Sequence, residues 1–162
     1  MTFCAIALHC GLMFDAASGG MHVALQWSSA LMIGVPDLDA QHRELFARVD
    51  RLLDAMLHGE RSEAAQLAAF LREHVVLHFA AEEQLMRDLH YPGAAEHSAE
   101  HQAFAASMIE IDSAMRSRGA TAELVLRLER EVVAWLRDHV YVADVALGAH
   151  VTASLGANYA WA

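Results

Sequence analysis

Seven side chains in this 162-residue chain fall at helical spacings and can ligate metal: His42, His78, Glu82, His97, His101, His139 and Asp144. His78 and Glu82 are four apart, as are His97 and His101, which puts each pair on one helix face, one turn apart. Five imidazoles and two carboxylates are enough to hold a pair of iron atoms. Imidazole suits iron, zinc, copper and nickel, while carboxylate is hard and can bridge two cations. No cysteine lies among them, so iron–sulfur clusters and thiolate zinc sites drop out. A haem held between two histidines would leave most of these ionisable residues unexplained, and there is no CxxCH attachment sequence. The set points to a non-haem di-iron site and so to oxygen chemistry.

With eleven histidines in the chain, a single HxxxH pair proves little. Placement carries the argument. The five histidines fall on stripes that should face a core. A buried neutral histidine needs a hydrogen-bond partner, and buried Glu82 and Asp144 need a cation or a proton. One shared metal centre answers all seven demands. His9, His22, His58, His90 and His150 fit no ligand spacing and read as surface or tail residues.

Four amphipathic helices must position the set. The first should run from Asp39, as N-cap, to His58, with Gly59 as its stop. Its apolar stripe is Leu38, Leu45, Val49, Leu52 and Met56, and His42 falls on it. The second starts at Ser62 and carries Leu67, Leu71, His74, His78, Glu82, Leu85 and Leu89 before the Tyr91-Pro92-Gly93 turn. The third spans Ala94 to Arg118, with His97, His101, Phe104, Met108, Ile111 and Met115 on one face. Thr121 caps the fourth, which bears Leu124, Leu128, Val132, Trp135 and His139 and stops near Leu147, before Gly148. Short loops favour an all-α, up-down-up-down four-helix bundle with the second and third helices longest. The segment 21–36 and the tail from Gly148 show no clear period.

Two positions strain this pattern. His139 and Asp144 are five apart, about 140° around an ideal helix, so both reach one site only if the helix widens or ends there. A π-bulge is the expected device. His74 lies one turn before His78 on the same stripe and reads as a core histidine behind the ligands. Glu83 steps about 100° from Glu82 and should be a solvated charge.

The totals bound the rest. A formal net charge of −10 argues against nucleic acid and anionic membranes as partners. No apolar run reaches the ~18 residues of a membrane span. Cys4 and Cys10 form no disulfide framework, so a reducing, cytoplasmic setting fits. Residues 1–20 loosely resemble an export signal but lack a basic start, and His9 interrupts the apolar run. They read as a dispensable N-terminal extension, with the bundle domain over 21–162.

The chain resembles the hemerythrins, and most closely the single-domain bacterial ones. The matching pieces are Asp39-Ala40-Gln41-His42, His78-Phe79-Ala80-Ala81-Glu82-Glu83 with Met86, Tyr91-Pro92 before His97-xxx-His101, and Trp135-Leu136-x-x-His139 with Asp144. The resemblance covers about residues 25–147. It implies that His97, His101 and His139 hold one iron and His42 and His78 the other. Glu82 and Asp144 would bridge them, with an oxo or hydroxo group as third bridge. It also implies that Leu45, Phe79, Trp135, Leu136 and Val140 line an apolar pocket for dioxygen without touching metal. The implied function is reversible dioxygen binding for storage, delivery or sensing, by a monomer that is not an enzyme. The competing expectations are a di-iron oxidase, peroxidase or nitric-oxide reductase, and a sensor acting through a separate partner.

Overall fold

The computed structural model describes residues 12–15, 20–23 and 27–155. Cys4, His9 and Cys10, and the tail beyond Leu155, lie outside the described residues. Leu12–Asp15 (β1) pairs antiparallel with Gly20–Val23 (β2), Leu12 opposite Val23 and Asp15 opposite Gly20. The boundary expected at residue 20 therefore cuts through a two-stranded ribbon. An arm follows, with one turn of 3-10 helix at Ser29–Leu31.

The bundle consists of α1 (Pro36–Leu57), α2 (Ser62–Asp88), α3 (Ala94–Arg118) and a last helical run made of α4 (Ala122–Trp135), a π segment (Leu136–Asp144) and α5 (Val145–Leu155). Successive helices pack side by side, as short loops require. Pro36 opens α1 at its first turn, where a missing N–H costs nothing. Gly59 (φ +72°) and Gly119 (φ +77°) end α1 and α3 in the left-handed region. Thr121 caps α4, its side chain accepting from the Leu124 N–H at 3.3 Å.

Two expectations about helix ends need correction. Asp39 is not an N-cap. It sits fully buried in the first turn of α1 and reaches back to accept from the N–H groups of Ile33 (2.8 Å) and Gly34 (3.2 Å). It thereby ties the arm to the helix. Nor does Gly148 stop the last helix, which continues to Leu155 and makes that run, not α2 or α3, the longest. A Cβ at Gly148 would come within 2.9 Å of Ile33 Cα and of Met32 O, so the glycine lets the arm backbone lie on α5.

The buried apolar residues form two clusters. The larger includes Leu45, Val49, Leu52, Leu71, Val75, Met108, Ile111, Leu128, Val132 and Leu136. The smaller holds Ile33, Leu38, Met86, Leu147 and Val151. The polar residues interrupt the stripes between them: His42 between Leu38 and Leu45, Glu82 between Phe79 and Met86, Asp144 between Val140 and Leu147. The bundle thus closes over its polar layer from both ends. No helix among the described residues is long and apolar enough to cross a membrane.

Candidate metal centre

The seven expected residues are all deeply buried. His42, His78, Glu82, His97, His101, His139 and Asp144 are each at most 3% exposed. They converge from all four helices of the bundle. The π segment solves the spacing problem at His139 and Asp144: its wider turn brings His139 Nε2 to 3.1 Å from Asp144 Oδ1.

Each carboxylate divides its two oxygens between two groups of histidines. Glu82 Oε1 lies 3.3 Å from His78 Nε2 and 3.7 Å from His42 Nε2, while Oε2 lies 3.1 Å from His101 Nε2 and 3.6 Å from His97 Nε2. Asp144 Oδ2 lies 3.2 Å from His42 Nε2, while Oδ1 lies 3.2 Å from His97 Nε2 and 3.1 Å from His139 Nε2. Two nests of possible ligand atoms result: His97, His101 and His139 with both carboxylates, and His42 and His78 with both carboxylates.

These atoms approach one another without hydrogen bonding. Both oxygens of Glu82 and of Asp144, and Nε2 of His42, His97, His101 and His139, are buried without a hydrogen-bond partner. So many unsatisfied groups in one place are costly unless something cationic sits among them. The titration behaviour agrees. Burial pushes both carboxylates towards protonation, yet the surrounding histidines hold Glu82 well below and Asp144 below the usual range. Burial also opposes a charge on His97, but Asp144 and Glu82 outweigh it and raise the imidazole to about 9. His42 is raised by the same carboxylates against its burial. His101 is lowered, by burial first and by its imidazole neighbours. Protons are partial substitutes for the positive charge this cluster is built to hold.

The opposite edge of each ring decides which nitrogen is free. His78 Nδ1 pairs with Gln41 Oε1 at 2.8 Å, His101 Nδ1 with Glu83 Oε1 at 3.3 Å, and His139 Nδ1 with Glu100 Oε2 at 2.6 Å. An acceptor there places the proton on Nδ1 and leaves the Nε2 lone pair facing the centre. The three partners share a rule. Gln41, Glu83 and Glu100 each adjoin a cluster residue (His42, Glu82 and His101), and each serves the histidine of the next helix. Sequence reasoning missed this. It took Glu83 for a solvated charge, whereas Glu83 is 28% exposed and bonded to His101. The usable signal was adjacency: one residue on turns the side chain about 100°, towards the neighbouring helix.

A family profile described as the hemerythrin HHE cation binding domain matches residues 33–144. The chain belongs to the hemerythrin family. It is similar to bacteriohemerythrins of Stenotrophomonas maltophilia (29% identical over 132 residues, 81% of this chain and 84% of the relative) and Methylococcus capsulatus (31% over 110 residues, 68% and 82%). Among solved structures it is similar to a hemerythrin variant at 28% identity, with a TM-score of 0.66, covering 80% of this chain and 98% of that one.

In this hemerythrin the five expected apolar residues divide. Leu45, Phe79, Leu136 and Val140 are buried in the larger core cluster, and Trp135 packs against it half-buried. Phe79 stacks on the His101 ring (3.8 Å, 3°) and Trp135 on the His139 ring (3.7 Å, 18°). On the other side, Trp27 from the arm lies 5.8 Å from the His42 ring and receives Arg43 on its face. His74 stacks on His78 (4.7 Å, 20°), its Nε2 without a partner, and burial with the nearby imidazoles lowers it to about 3. His150 is not a tail residue. It is half-buried on α5, pairing through Nε2 with the Leu89 carbonyl at the end of α2 (2.9 Å).

Proposed function

We propose that the cluster holds two iron ions and binds dioxygen reversibly. His97, His101 and His139 would hold one ion, His42 and His78 the other, with Glu82 and Asp144 bridging. The observation that carries this reading is the division of each carboxylate's two oxygens between the two histidine groups. The donor set fits iron: imidazole and carboxylate, no thiolate. Two ferrous ions would supply the two electrons that dioxygen binding draws on.

The chain's own part is orientation and exclusion. Gln41, Glu83 and Glu100 fix the tautomers, the apolar clusters close the layer from both ends, and the Phe79 and Trp135 rings cover the faces of His101 and His139. The side with two histidines has fewer protein donors, so an ion held there would be the one left to take up dioxygen. The enzymatic alternative needs a proton donor beside the centre. His74, which stacks on His78 with its Nε2 unpartnered, is the residue the sequence offered for that role, and turnover of a reductant that His74→Leu abolishes would favour the enzyme.

The test is iron content together with the absorption spectrum of the reduced protein before and after oxygen. Two irons per chain and a visible band that vanishes when oxygen is removed are expected. His42→Ala should abolish the reversible band. Full iron and unchanged oxygen binding in that variant would overturn the assignment.

A further inference from the structure

Leu77 (72% exposed) and Val76 (64%) are the two most exposed large apolar side chains among the described residues, and they adjoin on the outer face of α2. Ile109 on α3 is also exposed (52%). It lies towards α2, because Asp112, one turn on, pairs with Arg72 of α2, whereas its neighbour Glu110 pairs with Arg127 of α4. The pairs Arg72–Asp112 and Glu83–His101 set α2 antiparallel to α3 and bring Val76 level with Met108, beside Ile109. Single exposed apolar residues are ordinary, but three gathered on one face are not.

The same face avoids charge in a chain of net charge −10. α1 exposes Arg43, Glu44, Asp50, Arg51 and Asp54. On the outer face of α3, Ala99, Gln102, Ala106 and Ile109 are all exposed and uncharged, at steps of three, four and three. On α2 the exposed stripe is Glu73, Leu77, Ala80, Gln84 and Arg87, at steps of four, three, four and three. Such steps make a straight seam that another helix can follow.

The charges that end the α2 seam identify what covers it. Glu73 and Arg87 have opposite sign and stand equally far, two turns, from Ala80. A two-fold axis at the level of Ala80 would set α2 antiparallel to its own copy. Glu73 would then face the partner subunit's Arg87, and Arg87 the partner subunit's Glu73. A parallel pairing would set like charges together. Arg87 is available for this: it bonds Gln84 Oε1 at 2.8 Å and forms no ion pair among the described residues. Glu73 is held only by the adjacent Arg72 (3.1 Å), which it shares with Asp112. The same axis drops Leu77 between the partner subunit's Ala80 and the partner subunit's Gln84. On α3 it sets Ile109 against the partner subunit's Ala99, a large side chain on a small one. One operation thus satisfies both seams and both charges, as a closed two-fold interface requires.

We propose that the outer face of α2 and α3 is the interface of an antiparallel, two-fold homodimer centred on Ala80. This replaces the monomer that the family resemblance implies and does not depend on the iron reading. The seam from Glu73 to Arg87 is about 21 Å long. Two helices of that length fall short of the roughly 1,600 Å² of a standard interface, so the dimer is a weak one, with a Kd above about 1 μM.

The test is sedimentation equilibrium of the full-length protein as purified, between about 1 μM and 1 mM. Monomer should pass to dimer and no further. Ala80→Glu places two carboxylates together on the axis and should weaken the dimer at least tenfold. Glu73→Arg and Arg87→Glu should each weaken it about tenfold, by setting like charges face to face. The double variant Glu73→Arg/Arg87→Glu restores opposite charges and should recover the dimer. All three side chains are exposed, so circular dichroism should not change in any variant. A protein still monomeric near 1 mM, assembly beyond the dimer, indifference to Ala80→Glu, or a double variant no stronger than the single ones would overturn the proposal. So would a dimer that forms only after residues 1–11 are removed, which would give the face to that segment instead.

Discussion

The two halves of the histidine cluster are held by different chemistry. On the α3/α4 side, His101 and His139 lean on carboxylates, Glu83 and Glu100, and are covered by Phe79 and Trp135. On the α1/α2 side, His78 leans on a neutral amide, Gln41, while each half also contains one histidine whose Nδ1 has no partner, His42 here and His97 opposite. A carboxylate behind an imidazole raises its basicity and fixes its orientation more strongly than an amide does. On the proposed two-ion reading, the first half would hold its ion more firmly than the second. An asymmetric pair of this kind suits a centre where one ion anchors and the other binds a ligand.

The largest effect should come from removing what the halves share. Glu82→Ala deletes oxygens that face histidines on both sides and should take iron from two ions per chain to none, measured by metal analysis after desalting. Retention of two ions would mean that the carboxylate is not a bridge. The next test addresses the difference itself. Glu100→Gln should lower metal affinity about 10–100-fold, the usual cost of losing an outer partner. Gln41→Leu should cost less, because the lost partner is neutral. Competition with a chelator, zinc standing in for iron, measures both. Equal losses would remove the asymmetry.

The convergence of the seven buried residues was legible in the sequence because side chains that meet at one centre must share a helix face, and shared faces leave a period. Even the π segment announced itself, since His139 and Asp144 cannot otherwise meet. The partners behind the histidines were not legible by the same rule. Gln41, Glu83 and Glu100 lie off the ligand stripe and are defined by what the neighbouring helix presents, which a single stripe does not contain. The arm was hidden for another reason. Ile33 and Gly34 have no period, and what fixes them is the Asp39 carboxylate, read from the sequence as an ordinary cap. Gly148 resembled a helix stop because glycine serves two purposes, positive φ and close approach, and here it serves the second.

Within both halves, neighbouring histidines titrate in opposite directions once metal is removed. His97 is raised to about 9, and a histidine whose folded pKa exceeds its unfolded value stabilises the protein fully below about 6.5 and loses that contribution as pH climbs through its folded pKa. His42 has the same sign. His101 and His74 are lowered, so folding excludes protons that the unfolded chain takes up below about 6.5, and stability falls on that side. The depressed carboxylates, Glu82 and Asp144, add a further loss in stronger acid. Metal-free protein should therefore be most stable near pH 6.5. Urea titrations about two units to either side should show lower midpoints. Metal replaces the protons on His97 and His42, so the alkaline loss should vanish in the loaded protein while the acid loss remains. An alkaline limb that survives metal loading would place the titrating groups elsewhere.

The smallest effect tests how the arm is attached to the half that holds His42. In an open helix, Gly148→Ala would stabilise the protein, by about 0.4–1 kcal/mol, because alanine restricts the unfolded chain. Here the new Cβ would meet backbone at 2.9 Å, and backbone cannot rotate away as a side chain can. The expected result is destabilisation of about 1–3 kcal/mol by urea denaturation, the usual cost of overpacking. Because the contacts are to Ile33 Cα and Met32 O, trimming the Ile33 side chain should not rescue the variant. Stabilisation by Gly148→Ala would mean that the arm does not rest on α5. It would then leave Asp39 alone to hold the segment that carries Trp27 over His42.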